Sequence, residues 1–536
     1  MPAEHAAAQT GAETDQRAVF DFLADPTAYG DAKHVERFDT HGNVVFTAGT
    51  EAFKIKRAVR FDYMDFSTLE KRRLACHREV ELNQRWAADL YLGCVPIRRS
   101  RTGTLSFNGQ GDIVEWAVRM RRFDQADLLS TRAAQGQIDA DLAAELAYAV
   151  FASHQKADRV TRSSGVAAYQ DLIRSIVGAL RVTRLFSELE TGHLTAGLER
   201  QLHVAAHIID ERAREGFVRR CHGDLHLANI VMWHGRPVLY DAIEFDEALA
   251  TVDTLYDLAF LLMDLEFRNL RPAANLVLNR YLWRSGDERD LRGLVSLPLF
   301  LGLRAAIRAR VTLDRAAQEQ GQARDRDLGL ARRYFEAALA HTQPATPQLV
   351  VVAGLSGSGK TTLAARLAPC VGNAPGAVHL RSDLERKTLA GVSELERLPN
   401  TSYTPEARRR VYQALHRKAK LILEAHQSVV IDAVYDRESD RQEVEQLARS
   451  LRVPFRAVWL HADAQQLLAR IAAHQHDASD ATPRVVQAQL ASSIGKLSDR
   501  WTLLDAGGNA AQTLHAAMTA FGLKSAGRDS ALNTLK

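Results

Sequence analysis

Residues 349–368 read LVVVAGLSGSGKTTLAARLA: a β-branched run, a glycine-rich loop and an Ala/Leu stretch. No other segment restricts the fold as tightly. It satisfies G-x-x-x-x-G-K-T with Gly354, Gly359, Lys360 and Thr361. Glycines let successive backbone N–H groups turn inward around phosphate oxygens, and the helix that follows adds the partial positive charge of its N-terminus. The pattern predicts a strand, a loop and a helix holding a nucleotide. Gly354, Ser356, Gly357, Ser358, Gly359, Lys360, Thr361 and Thr362 would cradle the phosphates of ATP. Lys360 would reach the β- and γ-phosphates, and the Thr361 hydroxyl would ligate Mg²⁺.

Three later segments fit the same unit. SVVIDAVY (428–435) is an apolar strand ending in Asp432, a candidate for the Mg²⁺ shell or a cap for the next turn. HLRSDLERKTLAG (379–391) sets Arg381, Asp383, Arg386 and Lys387 after another apolar segment. Asp383 would orient or deprotonate an acceptor hydroxyl while the cations grip an anionic substrate; a charged first turn of a solvated helix reads equally well. In 467–490, Arg470 and His474 stand at i, i+4, with Arg470 the better candidate to close over a transferring phosphoryl group. Residues 348–523 resemble the small-molecule P-loop kinases, which include gluconate, adenylylsulfate and polynucleotide kinases and zeta-type toxins.

A second device lies upstream. CHGDLHLANI (221–230) places His222, Asp224 and Asn229 at the H-x-D-x-x-x-x-N spacing of a kinase catalytic loop. Asp224 would face an acceptor hydroxyl and Asn229 a metal ion; a polar Asx-turn is the bland alternative. The sequence IVMWHGRPVLYDAIEFD (230–246) predicts a hairpin that returns Asp241 beside Asn229, with Glu244 as second ligand or substitute. HGDLH, with its inner glycine and a second histidine, His226, resembles the version found in aminoglycoside and choline-type phosphotransferases. That resemblance implies a small lobe, for which NVVFTAGTEAFKIKRAV (43–59) supplies two strands. Its A-F-K makes Lys54 the candidate for the α/β-phosphates, with Lys56 on the same face as rival. Glu79, preferred to Glu81, would be the partner acid. IVEWAVRMRRF (113–123) would lead to a hinge where backbone near Met120 meets adenine. Only Gly42 and Gly49 are offered in place of a protein-kinase glycine loop, which argues against a protein kinase. Asp253 and Asp257 read as structural, capping and anchoring a helix.

At 536 residues the chain exceeds one hydrophobic core. HTQPATP (341–347) is the natural break. The expected organisation is a flexible start (1–29), a bilobal α+β kinase-like domain (30–340, small lobe 30–123, large lobe 124–340), a linker (341–347), an α/β P-loop NTPase domain with a parallel sheet (348–523), and a flexible tail (524–536). Nearly all of 30–523 resembles a fused family labelled aminoglycoside phosphotransferase-like proteins with an ATP-binding P-loop domain. The 69 basic and 65 acidic residues nearly cancel, which gives no mandate for nucleic acid or anionic membrane. Four scattered cysteines, the lack of a signal-like start and the shortness of the apolar runs predict a reduced, cytoplasmic protein.

The expected activity is therefore two ATP- and Mg²⁺-dependent transfers to small-molecule hydroxyls. The first acceptor would be a sugar, aminosugar or aminoglycoside, and EFDEALATVD (244–253) is a candidate acidic lining for a cationic one, although a solvated acidic loop reads equally well. Two other readings stand beside it: one domain is a nucleotide-sensing module for the other, or the P-loop domain is a nucleic-acid end kinase.

Overall fold

The computed structural model describes residues 16–30, 32–40, 42–61, 64–162, 164–473, 480–492 and 494–523. The first helix, α1 (16–24), precedes an antiparallel sheet of β1 (Val35–Asp39), β2 (Asn43–Ala48) and β3 (Glu51–Lys56). The short pair β4 (Arg60–Phe61) and β5 (Met64–Asp65) leads into helix α2 (Leu69–Ala87). Strands β6 (Tyr91–Arg99), β7 (Leu105–Ser106) and β8 (Asp112–Arg121) complete the sheet in the order β1-β2-β3-β8-β6-β7. Strand alternation decides what each face carries. Phe53 and Ile55 of β3 turn toward Val19, Phe20 and Leu23 of α1. Ala52, Lys54 and Lys56 share the other face, where Ala52 packs with Cys76 and Val80 of α2.

The helix α1 corrects one expectation. Residues 16–29 belong to the small lobe rather than to a flexible start. Gln16 donates to the Glu115 carboxylate (2.7 Å) and to the Lys56 carbonyl (2.9 Å), and accepts from the Ala58 N–H at 2.8 Å. Residues 1–15 and the tail 524–536 lie outside the described residues.

The large lobe begins with α3 (Leu129–Ala134), α4 (Ala140–Lys156), α5 (Val166–Val182) and α6 (Glu188–Arg214). Strand β9 (Val218–Arg220) runs into the HGDLH segment. The hairpin of β10 (Ile230–Trp233) and β11 (Arg236–Leu239) turns at His234 and Gly235, both at positive φ as a tight hairpin turn requires. After α7 (Glu247–Ala250), strand β12 (Thr251–Asp253) returns antiparallel to β9. The almost wholly buried α8 (Thr254–Phe267) is the lobe's central helix. It is wrapped by α9 (Arg271–Ser285), α10 (Glu288–Gly293), α11 (Leu297–Ala316) and α12 (Gly321–His341).

Beyond 342–348 comes the second domain. Its sheet is β13 (Leu349–Gly354), β14 (Val378–Arg381), β15 (Val429–Asp432), β16 (Phe455–His461) and β17 (Trp501–Asp505), all parallel in the order β14-β15-β13-β16-β17. Central β13 is buried at all six positions, the signature of a parallel strand covered on both faces. The covering helices are α13 (Lys360–Leu367), α14 (Ser382–Ala390), α15 (Pro405–Glu424), α16 (Glu438–Leu451), α17 (Ala464–Ala473), α18 (Pro483–Ala491) and α19 (Ala510–Phe521). Among the described residues no helix is long and apolar enough to cross a membrane.

The domains also meet away from the linker. Helix α9 covers the exposed edge of β14, where Asn275 donates to the Ala377 carbonyl (2.9 Å) and Asn279 accepts from the His379 N–H (2.7 Å). An uncovered strand edge invites foreign pairing, and here the kinase-like domain closes it. Ion pairs Arg280–Glu394 (2.8 Å) and Arg417–Glu288 (2.7 Å) flank the seam.

Candidate active sites

In the kinase-like domain, the small lobe presents Lys54 and Lys56 to one acid. Glu79 is completely buried and pairs with Lys54 at 3.0 Å and with Lys56 at 2.5 Å. Glu81 instead lies on the surface with Arg78. Each lysine also bridges to the large lobe, Lys54 to Asp241 and Lys56 to Glu244. Burial pushes Glu79 up, but the two ammonium groups outweigh it and leave its pKa at about 2. Burial raises Glu244 despite Lys56. Asp241 sits at φ 62°, and its N–H donates to the Tyr91 hydroxyl at 3.1 Å. Tyr91 and Asn83, which accepts from the Ala242 N–H at 3.0 Å, fix the DAIEF segment from the small lobe. Neither was singled out by the sequence, because neither carries a motif.

The HGDLH segment is anchored from behind. Asp257 accepts from the N–H groups of Gly223 (2.8 Å) and His222 (3.3 Å), and its carboxylate lies 3.1 Å from His154 Nε2. Asp253 caps α8 and holds buried Arg212 at 2.7 Å. Both aspartates thus have the anchoring places expected of them. His222 is buried, with Nε2 bonded to the Tyr240 carbonyl (2.9 Å), so its ring ties the segment to the end of β11. Asp224 remains open to solvent, with 38% of its side chain exposed. Asn229 donates to its Oδ2 (2.9 Å) and His226 stands 3.3 Å away. Partial burial opposes its ionisation, but His226, Arg308 and His222 overcome this and hold Asp224 below the usual carboxylate range.

Two placements differ from the sequence reading. Met120 lies inside the sheet, its backbone in register with Ala52 and Tyr91, and its side chain packs with Ala52 and Val231. Arg121 and Arg122 still donate to Leu90 and Thr50, so free hinge backbone begins only after them. The carboxylates of the run 244–253, expected as a lining for a cationic acceptor, have partners within the chain. Glu244 holds Lys56, Glu247 holds Arg78 and Arg220, Asp253 holds Arg212, and Asp246 caps α7.

In the second domain, Gly354 and Gly357 are dictated by close approach. A Cβ on Gly354 would fall 2.6 Å from the Leu460 carbonyl, and one on Gly357 2.7 Å from that of Leu467 on α17. Both adopt positive φ. Thr361 donates to Asp432 at 2.5 Å, which joins the loop to the tip of β15. Lys360 bonds the Leu355 carbonyl at 2.9 Å, and burial lowers its pKa. Ser358 Oγ is buried with no hydrogen-bond partner among the described residues. Thr362 follows on the first turn of α13. The two acids diverge: burial and neighbouring Asp432 raise Asp383, whereas His379 and Lys360 overcome burial and lower Asp432. A pair of carboxyls pushed apart in this way suits two different roles.

Arg470 donates to the carbonyls of Ala506 (2.7 Å) and Gly508 (3.3 Å), tying α17 to the loop before α19. His474 lies outside the described residues. Arg386 bonds the Ser402 carbonyl and Lys387 bonds Asp480 at 3.0 Å, so both cations serve the segments around α14. Gln489 of α18 was not anticipated; its carboxamide oxygen accepts from the Ser356 N–H at 2.9 Å. A cavity of about 160 Å³ lies at the seam, lined by Asn279, Arg280 and Trp283 of α9 and by Thr361, His379 and Arg381.

The fold and the two sites define a bilobal kinase-like domain joined to a P-loop domain. A family model described as "AAA domain" matches residues 349–493. Along most of its length the chain is similar to uncharacterized protein Rv2004c of Mycobacterium tuberculosis (strain ATCC 25618 / H37Rv). The two are 30% identical over 481 residues, covering 85% of this chain and 90% of the relative. Uncharacterized protein Mb2027c of Mycobacterium bovis matches to the same extent. The chain belongs to the family of these mycobacterial proteins. Among solved structures, a gluconokinase from Sinorhizobium meliloti 1021 is 19% identical, covering 34% of this chain and 94% of its own, with TM-score 0.25. The GDP complex of aminoglycoside 2'-phosphotransferase-IIIa is 14% identical, covering 60% and 99%, with TM-score 0.37.

Proposed function

We propose that this chain is an ATP-dependent phosphotransferase with two ATP sites. The kinase-like domain transfers the γ-phosphoryl group to a hydroxyl of a sugar, aminosugar or aminoglycoside-like molecule. The second domain is a P-loop small-molecule kinase. The observation that carries the reading is that each site combines a lysine, buried in the first site and half-buried in the second, an accessory oxygen-donor set and a separate carboxylate for an acceptor hydroxyl.

In the first site Asp224, ionised at neutral pH, orients the acceptor hydroxyl and takes its proton. Asn229 commits its amide hydrogens to Asp224, which leaves its carbonyl oxygen as a metal donor beside Asp241. Lys54, held by Glu79, meets the phosphates. Lys56 and Glu244 neutralise each other, so Asp241 is the better Mg²⁺ ligand of the two acids. With the acidic run 244–253 used internally, the support for a polycationic acceptor weakens and a neutral sugar gains.

In the second site the loop N–H groups, Lys360 and the orphaned Ser358 hydroxyl suit phosphate oxygens. Thr361 and Asp432, already in contact, form an oxygen set that fits Mg²⁺. Magnesium, when bound, neutralises charge on the phosphoryl oxygens. Asp383, the carboxyl with the raised pKa, faces the acceptor as base. A second reading, that the P-loop domain senses nucleotide for its neighbour, draws support from Gln489 on the loop and from α9 at the seam.

Transfer from γ-labelled ATP to a panel of sugars, aminoglycosides and nucleosides tests both readings. Asp224→Ala and Lys360→Ala should each abolish a different labelled product, by about 10²–10⁴-fold. Label passing only to water, and stopped only by Lys360→Ala, would establish the sensing reading instead.

A further inference from the structure

A second polar cavity, about 170 Å³, opens beside β9, the strand that leads directly into the catalytic segment. It is lined by the guanidinium-bearing side chains of Arg159, Arg219 and Arg289 and by the acids Glu215, Asp287 and Asp290. A count of signs suggests neutrality, but the pairing does not. Arg289 takes Asp287 (2.6 Å) and Glu215 (3.4 Å). Asp290 is held by Arg212 at 3.0 Å and by the Ser285 hydroxyl. Arg159 and Arg219 are left with no ion-pair partner among the described residues.

Arg219 is only 6% exposed, and a buried cation without a carboxylate is rare. It donates to the His154 carbonyl (2.5 Å) and to that of Gly216 (3.4 Å), both neutral acceptors. Burial and the like charge of Arg159 push its pKa down. The two arginines are backbone partners across an isolated bridge, and the stem of Arg159 passes over Gly216, 3.5 Å from where a Cβ would stand. Gly216 has φ 80°, so the turn that admits this stem favours glycine.

We propose that this cavity is an anion site for a phosphoryl group, held by Arg159 and Arg219 and separate from both nucleotide sites. Two guanidinium groups facing a polar space match the planar, multidentate recognition of phosphate. The volume falls below that of pockets for drug-sized ligands, which suits a phosphate ion or a small phosphate monoester rather than a nucleotide. The site adjoins the catalytic segment twice. Arg219 is three residues from His222 along the chain, and it bonds the carbonyl of His154, whose ring meets Asp257, the anchor of the His222 and Gly223 N–H groups.

Calorimetric titration of the full chain with inorganic phosphate, and separately with glycerol 2-phosphate, tests the assignment. A binding event should persist in Lys360→Ala, which disables the P-loop, and weaken about tenfold or more in Arg159→Ala and Arg219→Gln. Binding of inorganic phosphate would identify the free ion as sufficient; binding of the monoester alone would identify a phosphorylated metabolite. Arg159 is exposed, so its variant reports on binding even where Arg219→Gln fails to fold. The proposal is overturned if neither titrant binds, if binding vanishes in Lys360→Ala, or if it is indifferent to Arg159→Ala.

Discussion

The two candidate sites are built in opposite ways. Gly354 to Thr362 are consecutive, and their geometry is set by one strand end, one turn and one helix start. Lys54, Glu79, Asp224, Asn229 and Asp241 come from both lobes, and the Lys54–Asp241 pair alone closes a separation of 187 residues. A contiguous site depends on local backbone and survives small shifts elsewhere. A distributed site exists only while the lobes hold register, and here that register rests on buried charge. Two lysines and three carboxylates, Glu79, Asp241 and Glu244, share one cluster. The surplus negative charge suits a site that also takes a cation.

That contrast can be broken most directly at Lys56. Lys56→Met leaves Glu244 and part of Glu79 buried without a counter-charge. It should destabilise the kinase-like domain by about 3–5 kcal/mol, while Lys56→Met/Glu244→Leu recovers most of the loss. Scanning calorimetry would resolve it as an early transition with the P-loop domain unaffected. A loss below about 1 kcal/mol would mean that water, not Lys56, already solvates these acids.

A smaller effect belongs to Glu266, near the end of α8. Burial raises its pKa to about 7, with Arg271 3.8 Å away offsetting only part. Because the folded value lies above the unfolded one, stability is complete below about pH 4.5 and declines as pH rises toward 7. Glu266→Gln should remove that slope and gain roughly 3 kcal/mol at pH 8, read by denaturant melts across pH. A parallel slope in the variant would assign the titration elsewhere.

The smallest effect sharpens the picture of the contiguous site. Gln489→Ala frees the Ser356 N–H and should tighten nucleotide binding at the P-loop about fivefold, worth ~1 kcal/mol. Weaker binding would show that Gln489 helps hold the loop open for phosphate.

Legibility in the sequence followed the same division. The strand, loop and helix at 349–368 were readable because glycine spacing and β-branched content act locally, and HGDLH with its hairpin was readable for the same reason. Placing Glu79 against Lys54 rested on the resemblance of A-F-K to the kinase lysine strand, with the apolar Val80 and Leu82 favouring Glu79 over Glu81. Tyr91, Asn83 and Gln489 could not be found this way, since each acts through one hydrogen bond to a segment far along the chain. Nor could the acidic run 244–253 be judged: its carboxylates look free in sequence, and only folding delivers Arg78, Arg212 and Lys56 to them.

The sequence by itself marked two domains, their sheet types and the candidate phosphate-binding loop, because glycine conformations, strand periodicity and motif spacing are properties of neighbouring residues. Tertiary structure alone decided that α1 belongs to the small lobe, that two lysines share Glu79, that α9 seals β14, and that Arg159 and Arg219 have no carboxylate partner among the described residues. Each of these depends on which charges and edges are brought together by burial, and no local stretch of chain carries that information.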